Sequence, residues 1–565
     1  MLSVSLTLPR RLSAASSHPL LRRSFPLCPR VALCSSSSSS SPPPLPFPTI
    51  SLTPEEQHLF ATLSSAASQH PSRPVLRIAG GWVRDKLLSS SSFSSFSSSS
   101  SSSPSPSPSP SPACAPALQV SSVDIDLTLS NMMGRDFAEA LNAYLVSSGV
   151  PASRFGVVSS NPQKSKHLET ATMSLEGFML DFVNLRSESY TESGGRTPSA
   201  MRIGTALEDA LRRDLTINSL FYNLSSKAVE DLTGLGVPDL RRRLVRTPLP
   251  PLTTLLDDPL RVLRSVRFAC RLGFDVDPAL EAAAKDPKVK DALGAKVSKE
   301  RVGDEVDKML ARGSARRAME TLKEYGLGDV VFPDDNDKGG GSLFHKGMQL
   351  MVVAQECEER VRNEPWWTPR GKDDDRILWY SAITQPWLQQ TPDINSAGKK
   401  KKNKHSATIA LLKNLRRPNH DVDSILKVQT AASSFSAVSS SPLPLSRYSL
   451  ALVMREAGGR WRCALLLSLS CALHSAGGGP ADASRIRTKY ADMAKAIVDM
   501  GLVEGYDVKV PLSGEEVKSS VLRNISPGPA FGLVTEAQLQ FVLNNPNESI
   551  EKLKEFLKKE FPSFV

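Results

Sequence analysis

The sequence predicts an α+β chain, with a mixed-sheet N-terminal unit followed by an all-helical remainder, and three observations predict it. Short β-type runs bounded by turn residues fall before residue 185: Val75-Leu76-Arg77-Ile78-Ala79, Val123-Asp124-Ile125-Asp126-Leu127 and Met179-Leu180-Asp181-Phe182-Val183-Asn184. From Asp257 onward, apolar residues such as Leu260, Leu263, Val266 and Phe268 recur near helical spacing, and amphipathic stretches follow near 301–311, 343–362 and 486–501. Strand signals are rare in that second half, and 565 residues exceed one core, since about 150 residues per domain gives three or four units.

Taken in order, residues 1–50 are rich in Ser, Leu and Arg. Residues 1–54 carry no Asp or Glu but five arginines, so removing them takes the formal charge from +11 to 11 − 5 = +6. That composition predicts an organelle transit peptide, for mitochondrion or chloroplast, rather than a secretory signal with one compact apolar core. An additional cytosolic or nuclear form is compatible with it. A second low-complexity tract, Ser89 to Pro116, is mostly Ser and Ser-Pro and predicts a disordered loop inserted into the first unit. Residues 398–404 predict a solvated basic loop.

Bulk composition narrows the function classes. Hydrophobic residues make up 40% and charged residues 22%, as in an ordinary globular protein. The longest apolar runs, such as Cys463-Ala464-Leu465-Leu466-Leu467, are far short of the ~20 residues of a membrane span. Seven cysteines without a Cys-x-x-Cys pair give no zinc cluster and predict free thiols in a reducing compartment. The basic excess is compatible with a polyanionic partner and equally with a slightly basic enzyme.

Three short motifs carry chemistry. In Gly80-Gly81-Trp82-Val83-Arg84-Asp85, a Gly pair between strand and helix lets backbone N–H groups approach a phosphate, and Arg84 can add a charge-assisted contact; a simple tight turn reads the same way. Asp124 and Asp126 stand two apart on a strand, so both carboxylates share a face, which is costly unless a cation such as Mg²⁺ sits between them. A third acid, Asp181, is expected from a neighbouring strand. Arg212-Arg213-Asp214-Leu215-Thr216-Ile217-Asn218 reads as two arginines and an Asp ahead of an apolar helical run.

Together with Asp257-Asp258-Pro259-Leu260-Arg261-Val262-Leu263-Arg264, Ser298-Lys299-Glu300-Arg301 and Pro527-Gly528-Pro529-x-Phe531-Gly532, these segments resemble the successive motifs of the class II CCA-adding enzymes. Those are tRNA nucleotidyltransferases of the DNA polymerase beta superfamily, here of a plant or algal organelle-targeted type. The resemblance implies a nucleotidyltransferase head at 51–225, a base-recognising neck at 226–310, a body at 311–440 and a tRNA-binding tail at 441–565. It implies catalysis by Asp124, Asp126 and Asp181, with Mg²⁺ on Asp124 and Asp126. It assigns nucleotide binding to Gly80, Gly81, Arg84, Arg213, Asp214, Asn218, Asp258, Arg261, Arg264 and Arg267. The base readers would be Asp258 and Arg261: cytosine and adenine place an exocyclic amine beside an unprotonated ring nitrogen, which a carboxylate and a guanidinium match. The Ser, Gly and Thr-rich stretch 187–205 falls where the family has a flexible loop.

The implied activity is template-independent addition of CCA to the 3′ end of tRNA from CTP and ATP. CC-only, A-only or poly(A) addition stay open within the family, and so does a non-catalytic RNA-binding module of another class. The long Ser/Pro insert departs from the family, as does Asp257 where many relatives carry Glu.

Overall fold

A seven-stranded sheet organises the N-terminal half, in the order β3-β4-β5-β2-β1-β8-β9. Its strands are β1 (Leu76–Ala79), β2 (Asp124–Leu129), β3 (Phe155–Val158), β4 (Thr170–Leu175), β5 (Phe178–Asn184), β8 (Phe221–Asn223) and β9 (Ala228–Glu230); β6 (Arg186–Ser189) and β7 (Ala200–Ile203) form a separate hairpin. The computed structural model describes residues 48–90, 124–158, 170–189, 200–311, 313–334, 342–367, 371, 373–388, 406–440, 445–477, 479–525 and 528–565. The expected transit peptide up to residue 47, the Ser/Pro tract from 91 onward, the middle of the 187–205 stretch and the basic run 398–404 lie outside the described residues.

The sheet is mixed because of one pair. β2 and β5 run parallel, while β1–β2, β1–β8, β3–β4, β4–β5 and β8–β9 are antiparallel. The alternation in β2 decides which face does what. Ile125, Leu127 and Leu129 are fully buried, whereas Asp124 and Asp126 lie on the opposite face, Asp126 accessible from a cleft yet largely desolvated by the protein around it. Each such aliphatic side chain contributes roughly 1.5–3 kcal/mol on burial. The apolar face is covered by α1 (Pro54–Gln69) and α3 (Gly134–Ser147), and the acidic face stays open.

Local sequence fixes the helices around it. Thr53 and Glu56 close a capping box at the start of α1, with Pro54 behind the cap. Glu56 also accepts from Trp82 Nε1 at 3.2 Å and Lys86 Nζ at 2.6 Å, tying α1 to α2 (Gly81–Ser89). Gly80, ahead of α2, has φ +71°, a conformation that favours glycine.

After β5 come α4 (Ala206–Leu211), α5 (Gly236–Arg242), α6 (Pro251–Asp257), α7 (Leu260–Leu272), α8 (Pro278–Lys285), α9 (Pro287–Lys296) and α10 (Lys299–Leu310). The described chain beyond Leu310 is helical, with the longest helices at Leu343–Val361, Asn419–Ser439 and Pro480–Asp499. Three details depart from the sequence reading. The sheet continues to β9, past the expected boundary at 225. A short parallel pair, β10 (Leu244–Val245) with β11 (Asp275–Val276), interrupts the helical neck, since left-handed Arg243 and Gly273 end α5 and α7 and lay the following segments side by side. The stretch after Asp214 is a single 3₁₀ turn, Thr216–Asn218, leading into β8, whose Phe221 and Tyr222 pair with Ala79 and Ile78 of β1.

Three hydrophobic clusters result among the described residues. One runs from the sheet through the helices as far as Leu543, a smaller one unites Val517, Leu522, Val534 and Leu557 near the C-terminus, and a third joins Ala79, Leu185, Ala210 and Phe221. Cys270, Cys357, Cys463 and Cys471 are free thiols. No helix among the described residues is long and apolar enough to cross a membrane.

Helix α10 is pinned to the helices that follow. A Cβ on Gly303 would stand 2.0 Å from the Leu415 carbonyl oxygen. Arg417 bridges Asp304 at 2.9 Å and Asp307 at 3.0 Å, and Arg376 joins Asp307 at 2.8 Å to Asp421 at 2.6 Å.

Candidate active site

The open face of the sheet, the start of α2, the turn after α4 and one side of α7 and α10 enclose a cleft of about 650 Å³. Nine of its lining residues are Arg or Lys and six are Asp or Glu, an excess of 9 − 6 = +3 that suits a polyphosphate. Gly80, Gly81, Arg84, Asp126, Arg213, Asp214, Asn218, Asp258, Arg261 and Arg264 all line it. Four motifs far apart in sequence thus share one space.

On the sheet side, β2 and β5 set Asp126 opposite Asp181 in register, with Asp124 two residues before. Asp181 Oδ1 accepts the Thr172 hydroxyl at 2.6 Å. Burial pushes the Asp126 carboxyl above the usual carboxylate range; Arg213 opposes that rise, and Asp181 and Asp124 add to it. Asp124 is exposed at the strand's start, outside the cleft lining. Among the described residues no group of three or more His, Cys, Asp or Glu is placed to hold a metal ion. The donor set nevertheless fits Mg²⁺, which binds through one or two carboxylates and keeps positions for water and substrate phosphate.

On the phosphate side, the Gly80 turn is tight: an added Cβ would meet Arg213 Nη1 at 3.0 Å. Arg84 is buried, pairs with Asp85 at 2.6 Å, donates to Asn218 Oδ1 and lies 4.9 Å over the Phe268 ring. Asn218 in turn donates to Asp214 Oδ1 at 3.1 Å, so the glycine turn and the Arg213-Asp214 segment are one hydrogen-bonded unit.

The neck side differs from the sequence reading in one respect. Asp258 does not stand on the helix with Arg261; it occupies the extended elbow between α6 and α7, because the residue before a proline avoids helical geometry. Its Oδ1 accepts the Leu260 N–H at 3.3 Å, and Arg301 holds both carboxylate oxygens at 3.3 and 2.8 Å. Arg261 donates to the Arg212 carbonyl at 2.7 Å. Arg264 pairs with Asp214 at 2.7 Å. Burial alone would raise the Asp214 carboxyl, but Arg264, Asn218 and Arg261 together bring it below the usual range.

Arg267 falls outside the cleft lining. Its buried guanidinium bonds Glu305 Oε2 at 2.6 Å and lies 4.1 Å over Phe268, since its place on α7 faces α10.

Sequence reasoning gave no role to four contributors. Asp209, fully buried, receives Arg212 and holds Arg213 at 2.9 and 3.1 Å; burial would raise its carboxyl, yet Arg213 and Arg212 bring it below the usual range. Phe268 is the ring beneath Arg84, Arg264 and Arg267. Arg301 and Glu305 on α10 supply a third wall. An acid three and four residues before an Arg pair is the only signal that could have flagged Asp209.

A sheet that carries paired carboxylates beside a Gly-Gly turn and an arginine-lined cleft defines a nucleotidyltransferase head. Residues 76–246 match the family described as poly A polymerase head domain, and residues 273–337 match the probable RNA and SrmB-binding site of polymerase A. The tRNA nucleotidyltransferase cca2 of Schizosaccharomyces pombe is 31% identical over 508 residues, covering 88% of this chain and 95% of its own length. The mitochondrial CCA tRNA nucleotidyltransferase of Saccharomyces cerevisiae is 31% identical over 567 residues, covering 92% and 95%. Among solved structures, the Bacillus stearothermophilus CCA-adding enzyme in complex with CTP shares the fold, with a TM-score of 0.55 at 19% identity over 91% of this chain and 99% of that one. The chain belongs to the tRNA nucleotidyltransferase family.

Proposed function

We propose that this chain adds CCA to the 3′ end of tRNA, using CTP and ATP and no nucleic-acid template. The observation that carries the reading is the single cleft that brings Asp126 of the sheet together with Asp258 and Arg261 of the neck. The near full-length similarity to proteins named tRNA nucleotidyltransferases supports the same substrates.

In the reaction the tRNA 3′ oxygen bonds to the α-phosphorus, the bond to the pyrophosphate oxygen breaks, and the hydroxyl proton is lost. Asp124 and Asp126 would hold Mg²⁺, whose charge stabilises the attacking and leaving oxygens. Asp181, with one oxygen taken by Thr172, keeps the other beside Asp126 for the departing proton. Gly80, Gly81 and Arg84 cradle the triphosphate at the start of α2. Arg213, Asp214, Asn218 and Arg264 fix the sugar and phosphate geometry, so much of the rate comes from positioning. Asp258 accepts from the exocyclic amine of cytosine or adenine while Arg261 donates to the adjacent ring nitrogen. Uracil and guanine set acceptor against acceptor and donor against donor there. The helices beyond 310 hold the acceptor arm through phosphates, which makes binding weaken with salt. We read residues 1–50 as a transit peptide for a mitochondrion or chloroplast; the yeast relative's name favours the first.

The test is the full chain with tRNA lacking its 3′ end, Mg²⁺ and nucleotides supplied singly. Addition of two C from CTP and then one A from ATP is expected. Incorporation of UTP or GTP, or A tails of unlimited length, would contradict the reading.

A further inference from the structure

We propose that Arg301 is a specificity-determining residue that acts by positioning Asp258. This rests on the reading of Asp258 and Arg261 as the base readers and adds a residue to which no role has been given.

The cleft is crowded with cations, and the acids on its neck-facing side are paired with them. Asp209 is taken by Arg212 and Arg213, Asp214 by Arg264, and Glu305 by Arg267. Asp258 is taken by Arg301, reaching across from α10. Among the described residues Arg261 has no carboxylate within ion-pair distance and rests on a main-chain carbonyl. Arg261 lies three residues beyond Asp258, and its N–H bonds the Asp258 carbonyl at 2.9 Å, so the turn at the elbow keeps the two residues near each other. Were they to pair, both would be withdrawn from the incoming base. The bidentate grip of Arg301 prevents this, because a planar guanidinium fork fixes a carboxylate in orientation as well as in place.

The lone pairs of Asp258 bear this out. A carboxylate has about four acceptor sites. Oδ1 uses two, for Leu260 N–H and Arg301 Nη1, and Oδ2 uses one, for Arg301 Nη2. One site on Oδ2 remains, enough for one exocyclic amine hydrogen. Arg301 thereby leaves Asp258 as a single aimed acceptor and Arg261, its guanidinium bonded through Nη2 to the Arg212 carbonyl, with further N–H groups to donate. The anchor is itself held: two and six residues further along α10, Gly303 and Asp307 pack and pair against the helices beyond 310.

The experiment compares Arg301→Gln, Arg301→Lys and Asp258→Ala with the unaltered full-length enzyme. It measures kcat/KM for CTP and for UTP on tRNA lacking its 3′ end, together with thermal melting. Arg301→Gln should lower the CTP/UTP preference by roughly tenfold or more, the scale of one charge-assisted hydrogen bond. The loss should fall on CTP far more than on UTP. Arg301→Lys, with charge but no fork, should lie between, and it serves as the test if the Gln variant melts out. Combining Arg301→Gln with Asp258→Ala should give no further loss of preference. Equal loss on CTP and UTP, or an unchanged preference in either Arg301 variant, overturns the inference. If Asp258→Ala alone keeps the preference, the base-reader reading itself fails; if Asp258→Ala loses it and the Arg301 variants do not, only the role of Arg301 fails.

Discussion

The two sides of the cleft treat their carboxylates in opposite ways. On β2 and β5, Asp126 lies among other acids, and burial with that repulsion raises its carboxyl above the ordinary range. On the neck side Asp214 is more deeply enclosed, yet Arg264, Asn218 and Arg261 bring it below that range. Burial is shared, so it cannot explain the difference; the neighbours do. Asp214, where the head meets the neck, has its charge balanced by Arg264 and Arg261 of α7. The sheet acids keep a charge that only Arg213 opposes, in line with the Mg²⁺ proposed there.

The sharpest way to break this comparison is to remove a sheet carboxylate. Asp126→Ala should reduce turnover by ~10³-fold or more, the scale for losing a group that places transition-state charge. Steady-state nucleotide addition measures it, and retained turnover would remove the metal assignment.

Next in size is Asp209→Ala, which releases both Arg212 and Arg213. We expect about 1–3 kcal/mol of lost stability, the cost of stripping a buried charged hydrogen-bond partner, and weaker nucleotide binding. Denaturant unfolding and a nucleotide titration would measure the two effects. Gly303→Ala probes the anchor of the third wall. Its Cβ would meet backbone at Leu415, and overpacking of this kind costs about 1–3 kcal/mol. If melting is unchanged, α10 is not pinned as described.

The smallest expected effects are those of pH, and they have opposite signs on the two sides. A raised folded-state carboxyl penalises the fold once ionised, so the Asp126 penalty is present at neutral pH. It disappears as pH falls toward the unfolded value of about 3.9. Asp126→Asn should therefore raise the melting temperature at pH 7 while abolishing turnover. Asp214 contributes stability that is present above about 3.9 and lost as pH falls through its lowered value, so Asp214→Asn should lower melting at pH 7. Melting curves of both variants against pH decide this, and shifts of the same sign would erase the distinction between the two sides.

Much of this was legible in the sequence where local rules dominate. Alternation in Val123–Leu127 indicated that Asp124 and Asp126 share a face, and Gly80 marked a turn that only glycine enters easily. The motif order further supplied the neck residues through family resemblance. What stayed hidden depended on tertiary placement. Nothing near Arg301 in sequence says that it meets Asp258, 43 positions away. Arg267 has the same spacing pattern as Arg264, yet its position on α7 turns it to Glu305. The segment after Asp214 has helical apolar content but makes only a 3₁₀ turn, because the chain directly after it pairs with β1 as β8. Asp258 left the helix because of its neighbour Pro259, a local rule that the Asp-Pro pair itself carries.

The division of labour across the cleft can be tested most directly by comparing Asp126→Ala and Asp258→Ala for both nucleotide binding and turnover, with CTP and UTP as ligands. If chemistry belongs to the sheet and selection to the neck, Asp126→Ala will still bind CTP in preference to UTP while turning over neither. Asp258→Ala will turn over both with little preference. Loss of CTP preference in Asp126→Ala with full selectivity in Asp258→Ala would contradict the division.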